Sequence, residues 1–284
     1  MRHGDPYRLN FCKMSGAGND FIMINGAESP AAFSYSELAR QLCRRRISVG
    51  ADGVVLVEPS RRPEAHIRVR FWNPDGMEAA TCGNGTRCAA RFAVIEGLAP
   101  DAMIIETPAS DIDARVAGDI VTLRYRALPS IQLGFKVSGP EGPRTGHRVE
   151  LGIPHLVLTV SEMPAGAIEP SCRPLRYAPE LGEAGANVHL VEVLDRHTMR
   201  IRSYERGVEE ETLACGSGSM SAAVALAAAG DVEAPVTVRT RSGDDLTIRF
   251  ERDGDGRYYN LELEGPARII YRGQLAGSEL PVSP

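Results

Sequence analysis

Apolar residues along this chain recur mostly at alternate positions or in short runs, the spacing of strands more than of helices. "RLNFCKM", "FIMIN", "VVLVE", "HIRVRFW" and "MIIET" read as strands, and "ARVAGDIVTLRY" reads as a hairpin turned at Gly118-Asp119. The second half repeats the texture with "HRVEL", "HLVLTV", "NVHLVEV", "TMRIRSY", "VTVRTR", "LTIRFE", "YYNLELE" and "RIIYRG", and "ERDGDGRYY" marks a tight connection. Helical spacing is rarer. "SYSELARQLCRRR" carries a capping box, Ser34 with Glu37 three residues on, and places Leu38 and Leu42 on one face. Two further helices are expected from about Thr86 to Glu96 and from about Ser219 to Ala229, stopped by Gly97 and Gly230.

Both of those helices follow a cysteine-bearing turn, "TCGNGTRCAARF" at Cys82 and "LACGSGSMSAAV" at Cys215. Each cysteine has a glutamate four residues before it, Glu78 and Glu211. Each is followed by glycine, a small polar residue and a second glycine. The two turns lie nearly half a chain apart, too far for a solenoid period. They fit an α+β protein of two pseudo-symmetric lobes, each a mostly antiparallel sheet around one central helix. Pro129 and the glycine-rich "LGFKVSGPEGPRTGH" mark a boundary or an excursion near the middle, giving lobes of 1–126 and 127–268.

The chain has 284 residues, 43% hydrophobic and 24% charged, as expected of a globular protein with enough length for two cores. A net charge of −5 gives no basic field for nucleic acid. The N-terminal "MRHGDPYRLNFCKM" lacks the apolar centre of a signal peptide, and "SAAVALAAAG" is too short to span a membrane, so a cytoplasmic location is the default. Cysteines 12, 43, 82, 88, 172 and 215 show no paired C-x-x-C spacing, so neither a disulfide scaffold nor a metal site is expected. Lys13 and Lys136 are the only lysines, which leaves few candidates for a Schiff base with pyridoxal phosphate. Neither cysteine turn is followed by the lysine of a phosphate loop.

A cysteine at a helix start meets unsatisfied N–H groups and a partial positive charge, which favour its thiolate. That field is worth about 0.3–1 kcal/mol, or about one unit or less of thiol pKa. The same N–H groups receive anions. With two such helix starts, one thiolate can remove the proton beside a carboxylate while the other thiol returns one to the opposite face. Such an inversion needs no metal or cofactor. The remaining four cysteines read as ordinary core or surface residues.

The segments "KMSGAGNDF", "GADG", "FWNPDG", "CGNGTRCAARF", Pro154-His155, "NVHLVEV", "YERG", "ETLACGSG" and the final "GPARIIYRG" together resemble the diaminopimelate epimerase family, in order over nearly the whole chain. The resemblance implies two α+β halves with the site between them, a final strand (269–278) returning to the first half, no cofactor, and a homodimer. It makes Cys82 and Cys215 the two acid/base thiols. Gly83, Asn84, Gly216 and Ser217 would present N–H groups to the reacting carboxylate. Asn19, Asn73, Asn187, Glu205 and Arg206 would bind substrate, Arg206 at the distant carboxylate and Glu205 at the distant ammonium, with His155 lining the site. Ile153 stands where the family commonly has asparagine and cannot hydrogen-bond. "ERGVEEETLAC" is one residue longer than the commonest spacing. These departures keep open a related two-cysteine racemase of another amino acid, such as histidine. A non-catalytic thiol metal sensor on the same scaffold is the alternative from another class.

Overall fold

The computed structural model describes residues 8–29 and 33–276. Contacts divide the chain into two units, one formed by residues up to Leu123 together with those from Pro266 onward, the other by Arg124–Gly265. The first contains β1 (Arg8–Gly16), β2 (Asn19–Asn25), α1 (Tyr35–Leu42), β3 (Gly53–Pro59), β4 (Ile67–Trp72), β5 (Glu78–Ala79), α2 (Gly83–Ile95), β6 (Ala102–Glu106), β7 (Asp111–Ala117) and the start of β8 (Ile120–Tyr125). The second contains β9 (Ser130–Gly139), β10 (Gly142–Leu151), β11 (Ile153–Thr159), α3 (Glu169–Arg176), β12 (Asn187–Asp195), β13 (Thr198–Glu205), β14 (Glu210–Thr212), α4 (Gly216–Ala229), β15 (Val236–Arg239), β16 (Asp245–Arg252) and nearly all of β17 (Tyr258–Pro266). The last strand, β18 (Arg268–Ala276), belongs to the first unit and pairs antiparallel with β1.

Strand pairing repeats between the units. In the first, β1 runs antiparallel to β2, β2 parallel to β3, β3 antiparallel to β4, and β4 antiparallel to β5 and parallel to β6. In the second, β10, β11, β12, β13, β14 and β15 follow the same sequence of directions. The sheets are mixed but mostly antiparallel, around a central helix in each unit, as an α+β fold requires.

Why the apolar runs are continuous follows from these layers. Strand β2 is buried without a break from Phe21 to Asn25, and β3 from Gly53 to Val57. One sheet face packs on α2 and the other on α1, where Leu38, Leu42, Ile22, Ile24, Leu56 and Trp72 form one cluster. Both faces being covered, alternation is not required. In the second unit α3 takes the outer position, with Cys172 and Leu175 against Leu156, Leu158 and Leu190. The central helices are buried almost all round, α4 from Met220 to Leu226 without interruption, which explains their small residues.

Several expectations need correction. Helices α2 and α4 start directly after their cysteines, three residues earlier than expected, with Cys82 and Cys215 as N-caps. Low glycine propensity conceals this, yet the first helical turn has no intrahelical N–H bonds to lose. Ser34 caps α1 by accepting from the Glu37 N–H, but the Glu37 side chain turns to Arg40 and Gln41, so the box is half formed. Helix α3 escaped the sequence reading because Pro170 and Pro174 lie within it. The glycine-rich "LGFKVSGPEGPRTGH" is the β9–β10 hairpin, paired from Gly139–Gly142 onward, and not an excursion.

The two glutamates of the repeat have a shared job. Glu78 takes a two-pronged bond from Arg70, at 2.7 Å each, and Glu211 one from Arg202 at 2.5 and 2.6 Å. Each clamp closes the short strand that delivers its cysteine. Glu211 is only 1% exposed and also pairs with Arg241, whereas Glu78 is 36% exposed. Glu211→Ala therefore strands buried arginine charge and should cost about 3–5 kcal/mol, while Glu78→Ala should cost under about 1 kcal/mol. Urea denaturation of the two variants checks this, and equal losses would contradict the difference in burial.

Candidate active site

In the first unit, the half-exposed Cys82 opens α2. Its sulfur accepts from the Gly85 N–H at 3.4 Å, and its thiol faces Asn19 Oδ1 at 3.9 Å. Thr86 locks the turn from behind by donating its hydroxyl to the Cys82 carbonyl at 2.9 Å. Orientation of the Asn19 amide is set by charge: its NH₂ donates to Asp52 at 2.7 Å, which turns Oδ1 toward Cys82 and the Asn84 amide. Asp52 also accepts from Arg45 and the Asp20 N–H. Buried Arg87 holds the other end by donating to Asn84 Oδ1 at 2.8 Å. Lys13, one of the two lysines, is committed to Asp20 and the Gly50 carbonyl, which leaves it ill suited to a Schiff base.

In the second unit, Cys215 opens α4 and is buried. Ser219 repeats the lock of Thr86, donating to the Cys215 carbonyl at 2.8 Å, and Ser217 Oγ lies 3.7 Å from the sulfur. Burial and the Glu205 carboxylate push the Cys215 thiol well above its ordinary pKa, against the Gly218 N–H and the Ser217 hydroxyl. At Cys215 burial therefore works against the helix field that favours the thiolate. Burial raises Glu205 as well, although Thr212 and Cys215 hydrogen-bond to it. Its carboxylate accepts from Thr212 Oγ1. Glu205, assigned by resemblance to the distant ammonium, thus also lies against the thiol of its own unit.

Asn187 lies beside His155 in the parallel β11–β12 ladder. Its Oδ1 accepts from the Arg206 N–H at 2.7 Å, while its Nδ2 is buried without a protein partner. His155 Nε2 is likewise buried and unpartnered. Two such atoms on register partners are free to meet a ligand's polar groups. The Arg206 guanidinium makes no ion pair among the described residues. Glycines 83 and 216, Asn84 and Ser217 occupy the first helical turns, where N–H groups point out of the helix. Asn73 is exposed in the turn before β5, its backbone bonded to Met77 and Gly76. Ile153 starts β11, two residues before His155. Among the described residues no group of three or more acidic, histidine or cysteine side chains could hold a metal ion, and no helix is long and apolar enough to cross a membrane.

The sequence reading missed the supports of these residues: Asp52 and Arg45 behind Asn19, Arg87 behind Asn84, Thr212 beside Glu205. Asp52 and Arg87 lie inside the motifs "GADG" and "CGNGTRC", but a motif does not say which side chain holds which.

Among solved structures, a PhzF-family phenazine biosynthesis protein from Bacillus anthracis matches with a TM-score of 0.72 at 15% identity, covering 95% of this chain and 99% of that one. A probable proline racemase from Agrobacterium radiobacter K84 matches with a TM-score of 0.72 at 15% identity, covering 94% and 93%. These likenesses show the fold. A diaminopimelate epimerase from Hydrogenobaculum sp. (strain Y04AAS1) is 37% identical over 276 residues, covering 93% of this chain and 97% of its own. One from Aquifex aeolicus (strain VF5) is 33% identical over 277 residues, covering 94% and 98%. With this fold, the protein is an isomerase of the racemase and epimerase kind. The family model for diaminopimelate epimerase matches residues 11–125 and 148–269, and the chain belongs to that family.

Glu205→Gln removes the negative charge that disfavours the Cys215 thiolate, so the thiol pKa should fall. We expect alkylation of Cys215, followed by peptide mass spectrometry across a pH series, to begin at lower pH in this variant. The sign carries to stability too: a thiol raised in the folded state contributes stability below its unfolded pKa, and the contribution is lost as pH rises beyond it. An unshifted alkylation profile would remove Glu205 from the control of Cys215.

Proposed function

We propose that this chain interconverts L,L- and meso-diaminopimelate, with Cys82 and Cys215 as its two acid/base groups and no cofactor. The observation that carries the reading is the repeat of one device, a cysteine N-cap on a buried central helix, in both units. One cysteine, as thiolate, takes the proton from the α-carbon. The electron pair of that C–H bond passes into the carboxylate, and the other cysteine, as thiol, gives its proton to the opposite face. The helix-terminal N–H groups of Gly83, Asn84, Gly216 and Ser217 stabilise the charge that builds up on the carboxylate. Asn19, Asn73, Asn187 and His155 complete the frame for the substrate's polar groups, and the Arg206 fork takes a carboxylate of the substrate. Glu205 holds the Cys215 proton until the α-carbon is placed.

The family match and the named relatives support this reading over a racemase of histidine, and Ile153 then means that the distal end is held without a side-chain amide there. The resemblance also supports a cytoplasmic homodimer, which light scattering of the purified chain would check.

Cys82→Ala and Cys215→Ala are each expected to abolish stereoinversion of diaminopimelate without added cofactor, a loss of about 10²-fold or more. Turnover and α-proton exchange in deuterated water, run beside histidine, lysine and glutamate, measure it. Full turnover by either variant overturns the two-thiol reading, and exchange on histidine alone overturns the substrate.

A further inference from the structure

Behind His155 lies a second buried histidine that the reaction described above does not use. His155 Nδ1 is 2.9 Å from His189 Nε2, and His189 Nδ1 is 2.9 Å from Ser203 Oγ. All three side chains are buried, and the two rings lie with their centroids 5.1 Å apart. Strands β11, β12 and β13 contribute one member each.

The chain has a direction. Ser203 has no other side-chain hydrogen-bond partner among the described residues, and a buried hydroxyl proton needs an acceptor. It therefore goes to His189 Nδ1. A neutral imidazole has one N–H, so the proton of His189 is on Nε2 and points at His155 Nδ1. His155 must then carry its own proton on Nε2, the atom with no protein partner. Both rings are held neutral: burial, with His189 and Arg206 nearby, pushes His155 well below its ordinary pKa, and burial brings His189 down to about 3.

We propose that Ser203 and His189 form a one-way hydrogen-bond chain that keeps the proton of His155 on Nε2, so that His155 serves the reaction as a neutral donor and His189 as its positioning residue. The same ring touches the thiol's support. Gly218, whose N–H favours the Cys215 thiolate, rests on His189 so closely that any Cβ at 218 would run into the ring. His189 therefore fixes both the donor and the seat of the helix start. A neutral N–H aimed at charge appearing on the substrate stabilises it without giving up a proton.

The proposal rests on His155 lying at the reaction site of the epimerase reading, but its first test needs no turnover. In the full chain labelled with ¹⁵N-histidine, long-range proton–nitrogen spectra at neutral pH, assigned with His155→Gln and His189→Gln, should show both rings neutral and protonated on Nε2. A His155 protonated on Nδ1, or charged, overturns the proposal. Ser203→Ala should admit the other tautomer at both rings and lower kcat about tenfold with KM nearly unchanged, and Ser203→Thr, which restores the hydroxyl, should recover both. Wild-type tautomers and kcat in Ser203→Ala overturn the chain's role. If the cysteine variants keep turnover, the two-thiol reading falls while the tautomer result stands apart from it.

Discussion

Burying the start of a helix is the constraint from which the rest of each unit follows. A helix N-terminus carries donors and partial positive charge that interior atoms must answer. Each unit wraps its sheet around such a helix, and small residues along α2 and α4 let the strands come close. A cysteine stands at the cap of both, and in α2 its sulfur accepts from the Gly85 N–H. The arginine–glutamate clamps, the locks of Thr86 and Ser219 and the close approach at Gly218 keep that cap in place.

The repeat is geometric and not chemical. Cys82 faces an amide oxygen that a carboxylate has oriented, in a half-exposed setting. Cys215 is buried beside the carboxyl of Glu205. Two thiols with the same backbone surroundings therefore meet different polar partners. The Asn19 position at the start of β2 corresponds to Ile153 at the start of β11, so the second unit lacks the first unit's amide and has Glu205 beside its thiol instead. Different environments at two equivalent groups give a reaction with distinguishable faces a way to hold one proton and release the other.

Much of this was legible in the amino-acid order. The doubled Cys-Gly-x-Gly turn, the alternating strands, the Gly118-Asp119 turn and the Gly230 stop depend on local chemistry, and local chemistry is what a sequence displays. The helix starts at Gly83 and Gly216 were hidden because cap geometry outweighs glycine's low propensity. Helix α3 was hidden by its prolines. Of the proposed site, the residues that carry a motif stand out in the sequence. Most of their supports do not, because Asp52, Thr212 and His189 act through side-chain pairings between separate segments, whereas Arg87 bonds Asn84 within one turn of α2. The burial of the Cys215 thiol is not visible in its motif either, since a helix field is local and burial is not.

Strand β18 gives the molecule an order of assembly. The second unit is one unbroken stretch of chain, so all of it has been synthesised before β18 appears. The first unit has most of its strands earlier in the chain yet lacks the partner of β1 until β18 has been made. During translation the unit made first is thus finished last, with the β1 edge open for pairing meanwhile. Loss of β18 would strike the unit whose other strands lie earliest in the sequence.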